Sequence, residues 1–390
     1  MRRFTTLLLT MVLIFSLPAL TGVAEEKKGQ KLDLAKNSSS AIIMERDTGT
    51  VIYEKNSHEK LPPASMTKIM TMILIMEALE KGKISLDDKV RASENAASMG
   101  GSQIFLEAGE EMTVRELLLG IAVASGNDAS VAMAEHISGS VDAFIGEMNE
   151  KAKEIGVKNT YFKNTTGLPA DGHYSTAYDM ALMAKELLKY EDITKFTGIY
   201  DDYLRKGSDK EFWLVNTNKL VKFYDGVDGL KTGFTREAKY CLTATAKKND
   251  MRIITVVMGA PTSKERNAQV SQMLDYAFTH YQTHKKYKKN EKIQDVKVSK
   301  GNKDKLKVLT SESISILTEK GAKVEGVTEK VKLKKLSVPI KKGDQVGSLI
   351  LEKDGKVLSK TALVAGDDVK EASFWQLFKR SISGFTKKSN

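Results

Sequence analysis

The chain has 390 residues, one cysteine, five histidines and a formal net charge of +11. That length supports a substantial core and more than one domain. A single cysteine excludes an intramolecular disulfide, and no zinc-finger spacing, helix-turn-helix signal or Gly-rich aromatic RNA motif accompanies the positive charge, which argues against nucleic acid as a partner.

In chain order, Arg2 and Arg3 precede an apolar run from Leu7 to Leu20, and Gly22-Val23-Ala24 offers small residues for cleavage. Residues 1–24 read as an export signal rather than a membrane span, the alternative being an uncleaved N-terminal anchor. For an exported basic chain, anionic lipid headgroups or cell-wall polymers are the natural partners. Residues 25–39 are polar and read as a linker. Ala41–Met44 and Val51–Tyr53, joined through Asp47-Thr48-Gly49-Thr50, form a β-hairpin pattern. From Pro62 to about Leu188 the pattern is mostly helical. Tyr240–Lys247 and Met251–Met258 make a second hairpin. Cys241 sits in its alternating stretch as a small buried filler. Thr262 to Glu265 is a capping-box pattern opening a helix to about His280. His280 and His284 have ligand-like spacing but lie at a polar helix end, so no metal site and no cofactor is expected.

Composition changes at Lys285, where a lysine-rich stretch to Lys292 reads as a charged linker. Short alternating segments follow at Asp295–Val298, Leu306–Leu309, Ile314–Leu317, Val331–Leu336 and Val346–Leu351, the pattern of a small all-β domain. In the tail, Phe374, Trp375, Leu377, Phe378, Ile382 and Phe385 recur at helical spacing among Lys370, Lys379, Arg380, Lys387 and Lys388. That is a basic amphipathic helix suited to a membrane interface; the plainer alternative packs it on the β domain. The expected organisation is a signal at 1–24, a linker at 25–39, an α+β domain at 40–284, a β-rich domain at 285–366 and an anchoring helix at 367–390. The α+β domain would place the helical block on an antiparallel sheet built from the two hairpins.

Three short motifs carry chemistry. Ser65 and Lys68 lie one helical turn apart before an apolar run, their Cβ atoms about 5–6 Å apart on one face. A serine needs a base to attack a carbonyl, and burial favours the free amine of lysine. A serine near a helix N-terminus also has backbone N–H groups available for a developing oxyanion. Ser57…Lys60 has the same spacing but lies among polar residues before Pro62-Pro63, with nothing to desolvate its lysine, and reads as a solvated loop. Ser125-Gly126-Asn127 interrupts two apolar helical stretches. There Ser125 can relay a proton and Asn127 can hold Lys68 or a substrate amide, whereas Ser93-Glu94-Asn95 reads as a helix cap. Lys231-Thr232-Gly233 places a lysine and a hydroxyl on an edge strand, where they can bind a carboxylate. Gly233 there permits close backbone approach by a ligand. In this order, about 60 and about 106 residues apart, the three form the signature of serine β-lactamases and penicillin-binding proteins.

On these motifs the chain resembles the low-molecular-mass penicillin-binding proteins, the serine-type D-alanyl-D-alanine carboxypeptidases, across roughly residues 35–390. Pro63-Ala64-Ser65-Met66-Thr67-Lys68, Ser125-Gly126-Asn127-Asp128-Ala129, Asn164-Thr165-Thr166-Gly167-Leu168, Tyr174-Ser175-Thr176-Ala177-Tyr178-Asp179 and Asp228-Gly229-Leu230-Lys231-Thr232-Gly233 carry the likeness. The resemblance implies the penicillin-binding transpeptidase-like fold, with a trailing β domain and an amphipathic tail. It implies peptidoglycan stem peptides as substrate, β-lactams as covalent inhibitors, and a position on the outer face of the cytoplasmic membrane. It further implies Ser65 as nucleophile, Lys68 as general base, Ser125 as proton shuttle and Asn127 as positioning group. Lys231 and Thr232 would recognise the terminal carboxylate, with Arg266 the arginine that joins them by spacing. The oxyanion hole would be the backbone N–H groups of Ser65 and Phe234. A class A β-lactamase shares the triple but needs a Glu-x-x-Leu-Asn pattern that is missing here; Glu186-Leu187-Leu188-Lys189-Tyr190 lacks the Asn. The other competing reading is a non-catalytic cell-wall-binding scaffold, which the intact motifs disfavour.

Overall fold

The computed structural model describes residues 32–376. The expected export signal and most of the expected tail helix lie outside that range. After β1 (Ser40–Glu45) and β2 (Val51–Lys55), a 3-10 turn at Ala64–Thr67 leads into α1 (Lys68–Glu80). A helical block follows, in which the short pair β3 (Lys89–Arg91) and β4 (Glu111–Thr113) is interleaved with α2 (Glu94–Ala97) and α3 (Val114–Leu119). It continues through α4 (Asn127–Ser138), α5 (Val141–Ile155), α6 (Ala177–Leu187) and α7 (Thr194–Thr197). The hairpin β5 (Asp201–Leu204) and β6 (Phe212–Val215) and α8 (Leu220–Phe223) precede β7 (Val227–Thr235), β8 (Lys239–Lys248), β9 (Met251–Ala260) and α9 (Ser263–His280).

The main sheet runs β2-β1-β9-β8-β7, antiparallel at every pairing. Both expected hairpins are therefore its body, and the strand carrying Lys231-Thr232-Gly233 is its edge. Successive residues of β1 serve opposite faces: Ile42 and Met44 join the core under the helical block, whereas Ala41 and Ile43 join the core under α9. Burial on both faces explains the continuous apolar reading of Ala41–Met44. The helix α1 is likewise buried nearly all round, from Lys68 through Met76. Thr262 caps α9 by accepting from the Glu265 backbone N–H.

Four details correct the sequence reading. The end of the expected 25–39 linker is packed: Leu34 and Ala35 belong to the core beneath α9, and Ser38 Oγ donates to Gln269 Oε1 at 2.8 Å. The lysine-rich stretch from Lys285 is not a free linker, because β10 (Tyr281–Tyr287) follows α9 directly and pairs with β13 (Ile314–Glu319). Two of its charges are paired while still partly exposed, Lys285 with Asp250 at 2.7 Å and Lys286 with Glu329 at 2.9 Å. The β domain comprises, besides that pair, the sheet β11-β12-β16-β15-β14. Its strands are β11 (Lys292–Lys297), β12 (Lys305–Thr310), β14 (Thr328–Leu333), β15 (Gln345–Lys353) and β16 (Lys356–Ala365). The strand β16 carried no separate sequence signal. Finally, the tail does not begin at 367: Val369 is fully buried and bonds Ile340, and Ala372 N–H reaches Lys300 O.

The β domain is keyed to the first hairpin. Ser315 Oγ donates to Asp47 Oδ2 at 2.6 Å, and Glu312 lies 3.6 Å from Arg46 and 3.8 Å from Lys185. Because Leu34 is 4% exposed, Leu34→Ala is expected to cost about 2–4 kcal/mol by leaving a cavity. A linker residue would change stability by less than about 0.5 kcal/mol, and the urea midpoint of the α+β domain separates the two.

Candidate active site

The turn at Ala64–Thr67 holds Ser65 at the mouth of α1. Ala64 adopts a left-handed backbone, φ +46, a conformation that costs a non-glycine residue about 1–2 kcal/mol. Close packing on two sides holds it there. A Cβ on Gly167 would sit 1.8 Å from Ala64 O, and one on Gly233 would sit 2.8 Å from Pro63 O. The close approach that Gly233 permits is therefore made by the protein's own serine-bearing turn, which locks the edge strand β7 to the start of α1.

Lys68 is fully buried, its Nζ 3.1 Å from Ser65 Oγ, 2.6 Å from Asn127 Oδ1 and 2.8 Å from Thr166 O. The Asn127 amide is oriented by its own Nδ2, which donates to Gly100 O at 2.7 Å. Its oxygen must then face Lys68. Two of the three partners are thus obligate acceptors. A neutral amine gives its two hydrogens to them and turns its lone pair toward the Ser65 hydroxyl. Burial holds the Lys68 pKa well below the usual lysine range, the charge of Lys231 lowers it further, and Asp128 pulls the other way.

Asn127 begins α4, and its backbone N–H donates to Ser102 O at 2.7 Å. The adjacent Asp128 is fully buried and accepts from the N–H groups of Ile104, Leu106 and Ala129 at 2.8–3.1 Å. That carboxylate pins the loop carrying Gly100 and Ser102 against Asn127. Ser125 ends the π-helical turn Gly120–Ala124 in a left-handed conformation, φ +67, and its buried Oγ has no hydrogen-bond partner. A buried hydroxyl left free is a lost hydrogen bond in a resting protein and an asset in a proton relay.

On β7, Lys231 is buried and donates to Thr232 O at 3.1 Å. Burial, then the charge of Arg266, brings its pKa down to about 7. Thr232 Oγ1 donates to Thr217 Oγ1 at 2.7 Å. Arg266, in the first turn of α9, is buried and donates through Nε and Nη2 to Asn267 Oδ1 at 3.1 and 2.9 Å. Burial lowers even its pKa, to about 10. The charge of Lys231 acts on Lys68 and that of Arg266 on Lys231, and no carboxylate is salt-bridged to any of the three among the described residues. Phe234 is half exposed, its ring 4.5 Å from that of Tyr240.

The decoy serine-lysine pair is disposed differently. Ser57 is buried, contrary to the solvated loop expected of it, but its Oγ is taken by Glu54 Oε2 at 2.5 Å, and Lys60 lies over the Tyr174 ring at 4.5 Å. Ser93 caps α2. Sequence reasoning gave no role to Thr166, Asp128 or His173. The first two sit inside motifs quoted above, but a backbone carbonyl and a buried structural carboxylate leave no signature of their own.

The family model of D-alanyl-D-alanine carboxypeptidases matches residues 25–262, and that of the penicillin-binding protein 5 C-terminal domain matches residues 281–371. The chain is 60% identical over 387 residues, 99% of each protein, to D-alanyl-D-alanine carboxypeptidase DacF of Bacillus subtilis. It is 35% identical to DacC of Escherichia coli, with 86% of this chain and 84% of that one covered. The solved penicillin-binding protein 5 from Haemophilus influenzae superposes with a TM-score of 0.66 at 33% identity, over 86% of this chain and 98% of that one. A fold and site of this kind define a low-molecular-mass penicillin-binding protein. The chain belongs to the serine D-alanyl-D-alanine carboxypeptidase family, a class of peptidases, and the comparisons side with that reading rather than with a β-lactamase or a non-catalytic scaffold.

The lysine burial has a thermodynamic signature. Above about pH 7 the folded protein loses the Lys231 proton, whereas the unfolded chain keeps it to about pH 10.4. The unfolded state then binds more protons, so stability rises with pH across that window. Lys231→Met is expected to flatten the rise in Tm between pH 7 and 10, leaving the part due to Lys68. An unchanged slope would mean that Lys231 is not desolvated.

Proposed function

We propose that the protein removes the terminal D-alanine from peptidoglycan pentapeptides through an acyl-enzyme on Ser65. The observation that carries this reading is the buried Lys68 amine held against Ser65 Oγ by Asn127 Oδ1 and Thr166 O. Lys68 takes the hydroxyl proton as Ser65 attacks the carbonyl of the penultimate D-alanine. The oxyanion is received by the backbone N–H groups of Ser65 and Phe234. Ser125, whose hydroxyl is unengaged, passes the proton to the departing D-alanine nitrogen as the C–N bond breaks. Water then hydrolyses the ester and frees the shortened peptide. Lys231 and Thr232, with Arg266 behind them, receive the terminal carboxylate, for which their uncompensated positive charge is suited. A β-lactam acylates the same serine, but its opened ring stays tethered, so no leaving group departs.

Ser65→Ala is expected to abolish D-alanine release from a peptide ending in D-Ala-D-Ala. Lys68→Ala should fall nearly as far, because the two act as one unit. Ser57→Ala should keep wild-type rates, and labelled penicillin should map to Ser65. Full release by the Ser65 variant overturns the mechanism.

We propose further that residues 1–24 act as an export signal and that a tail helix holds the enzyme on the outer face of the cytoplasmic membrane as a peripheral protein. Among the described residues no helix is long and apolar enough to cross a membrane. Phe374 and Trp375, at the start of the tail helix, are among the most exposed large apolar side chains, at 75% and 68%, which suits an interfacial helix. Since Val369 and Ala372 are bound into the β domain, the informative truncation removes residues 373–390. It is expected to move the protein to the soluble fraction with D-alanine release intact; continued sedimentation with membranes would refute the anchor.

A further inference from the structure

The two faces of the sheet β11-β12-β16-β15-β14 differ in kind. One supplies Leu306, Val308, Leu349, Leu351 and Leu363 to the core that Ile314 and Ile316 of β13 complete. Side chains alternate along a strand, so the residues between these form the other face. It carries Lys297 of β11, Lys305 and Lys307 of β12, Lys360 of β16 and Lys332 of β14, every one of them exposed. The register keeps them together. Lys297 stands opposite Lys305, Lys360 opposite Ile350, and Ile350 opposite Lys330, next but one to Lys332. Ile350 is only 6% exposed, as expected where lysine stems lie over an apolar residue and hold their ammonium groups outward.

Carboxylates do little to offset this charge. Asp295, opposite Lys307, pairs with Lys292 at 2.8 Å, and Glu352 pairs with Lys330. The five lysines named first join no salt bridge among the described residues. Their field crosses the strands: the Asp295 carboxyl is held below its usual range first by the Lys292 hydrogen bond, and also by the charges of Lys305 and Lys307. Five uncompensated charges on one sheet face are close to half of the chain's net +11. A face that merely faced water would mix the two signs.

The chemistry of the face limits what it can hold. Backbone N–H groups inside a sheet are used in its ladders, so only ammonium groups are on offer. Each is a point charge on a flexible stem, and one exposed lysine holds one anion weakly. Useful affinity needs several charges engaged along one ligand. Strand spacing sets neighbouring charges about 5–10 Å apart, which suits a chain with an anion on every repeat. A bilayer also offers anions, but the face is turned away from one. The segment leading to the tail passes the turn between β11 and β12, where Glu371 bridges Gly301 and Ala372 N–H donates to Lys300 O. The tail therefore departs from a strand end of the sheet, and the basic face looks sideways from that end.

We propose that this face docks a linear polyanion with phosphodiester repeats. Docking retains an exported enzyme among charged wall polymers, and it does not rest on the chemistry at Ser65.

The test measures binding of fluorescent long-chain polyphosphate to the full chain. Wild type is compared with a face variant, Lys297→Gln, Lys305→Gln, Lys307→Gln, Lys332→Gln and Lys360→Gln. A control variant loses the same charge elsewhere, by glutamine at the exposed Lys36, Lys83, Lys158, Lys264 and Lys320. The face variant is expected to bind at least about tenfold more weakly at low salt, with the slope of log K against log salt reduced by about three. The control should stay within about twofold of wild type. Melting temperatures report that both variants are folded. Absence of binding by wild type, or equal weakening in both variants, overturns the proposal. So does a face variant that keeps polyphosphate but loses phosphatidylglycerol vesicles, because the face would then be a membrane contact.

Discussion

An ammonium group buried without a carboxylate partner is among the most expensive things a protein can hold. Lys68 would be such a group if it kept its proton, and the surrounding architecture is arranged around its neutral amine. The amine sits where the turn before α1, the start of α4 and the segment through Thr166 converge, and each supplies one oxygen. None of these oxygens carries a formal charge, so the site solvates an amine well and an ammonium poorly. In the proposed mechanism the basicity of Lys68 is then a property of packing: the apolar helix that excludes water also keeps its amine unprotonated.

The same economy governs the carboxylate pole. Burial lowers the pKa of both Lys231 and Arg266, and the Arg266 charge lowers that of Lys231 further. In the proposed mechanism a substrate carboxylate would offset the repulsion that Arg266 exerts on Lys231.

Much of this was legible in the sequence, for identifiable reasons. The two hairpins showed because β1, β8 and β9 are long and bounded by turn residues, and the capped helix after them showed through Thr262 and Glu265. The three motifs were legible because side-chain chemistry at fixed spacing survives without a structure. What escaped was carried by backbone or by context. Thr166 contributes a carbonyl, which any residue has. Asp128 carries no signal of its own next to Asn127, yet it accepts from three backbone donors. Leu34 and Ala35 sat in a polar stretch and were read as linker, because two small apolar residues do not make a periodic pattern. The lysines of β10 masked a strand, since charge paired with Asp250 and Glu329 is indistinguishable in sequence from charge in solvent.

The turn after β1 was read only as a hairpin turn, and it is also a joint. Asp47 accepts from Ser315, and Arg46 faces Glu312, both from the β domain. Lys185 of α6 ties the same corner through the carbonyls of Arg46 and Asp47. The two domains are consequently not interchangeable modules. A chimera that grafts a relative's β domain onto this catalytic domain inherits a mismatch at a half-hidden ionic corner unless residues 45–48 travel with it. The unit of exchange between such proteins is the domain plus a hairpin turn more than two hundred residues earlier in the chain.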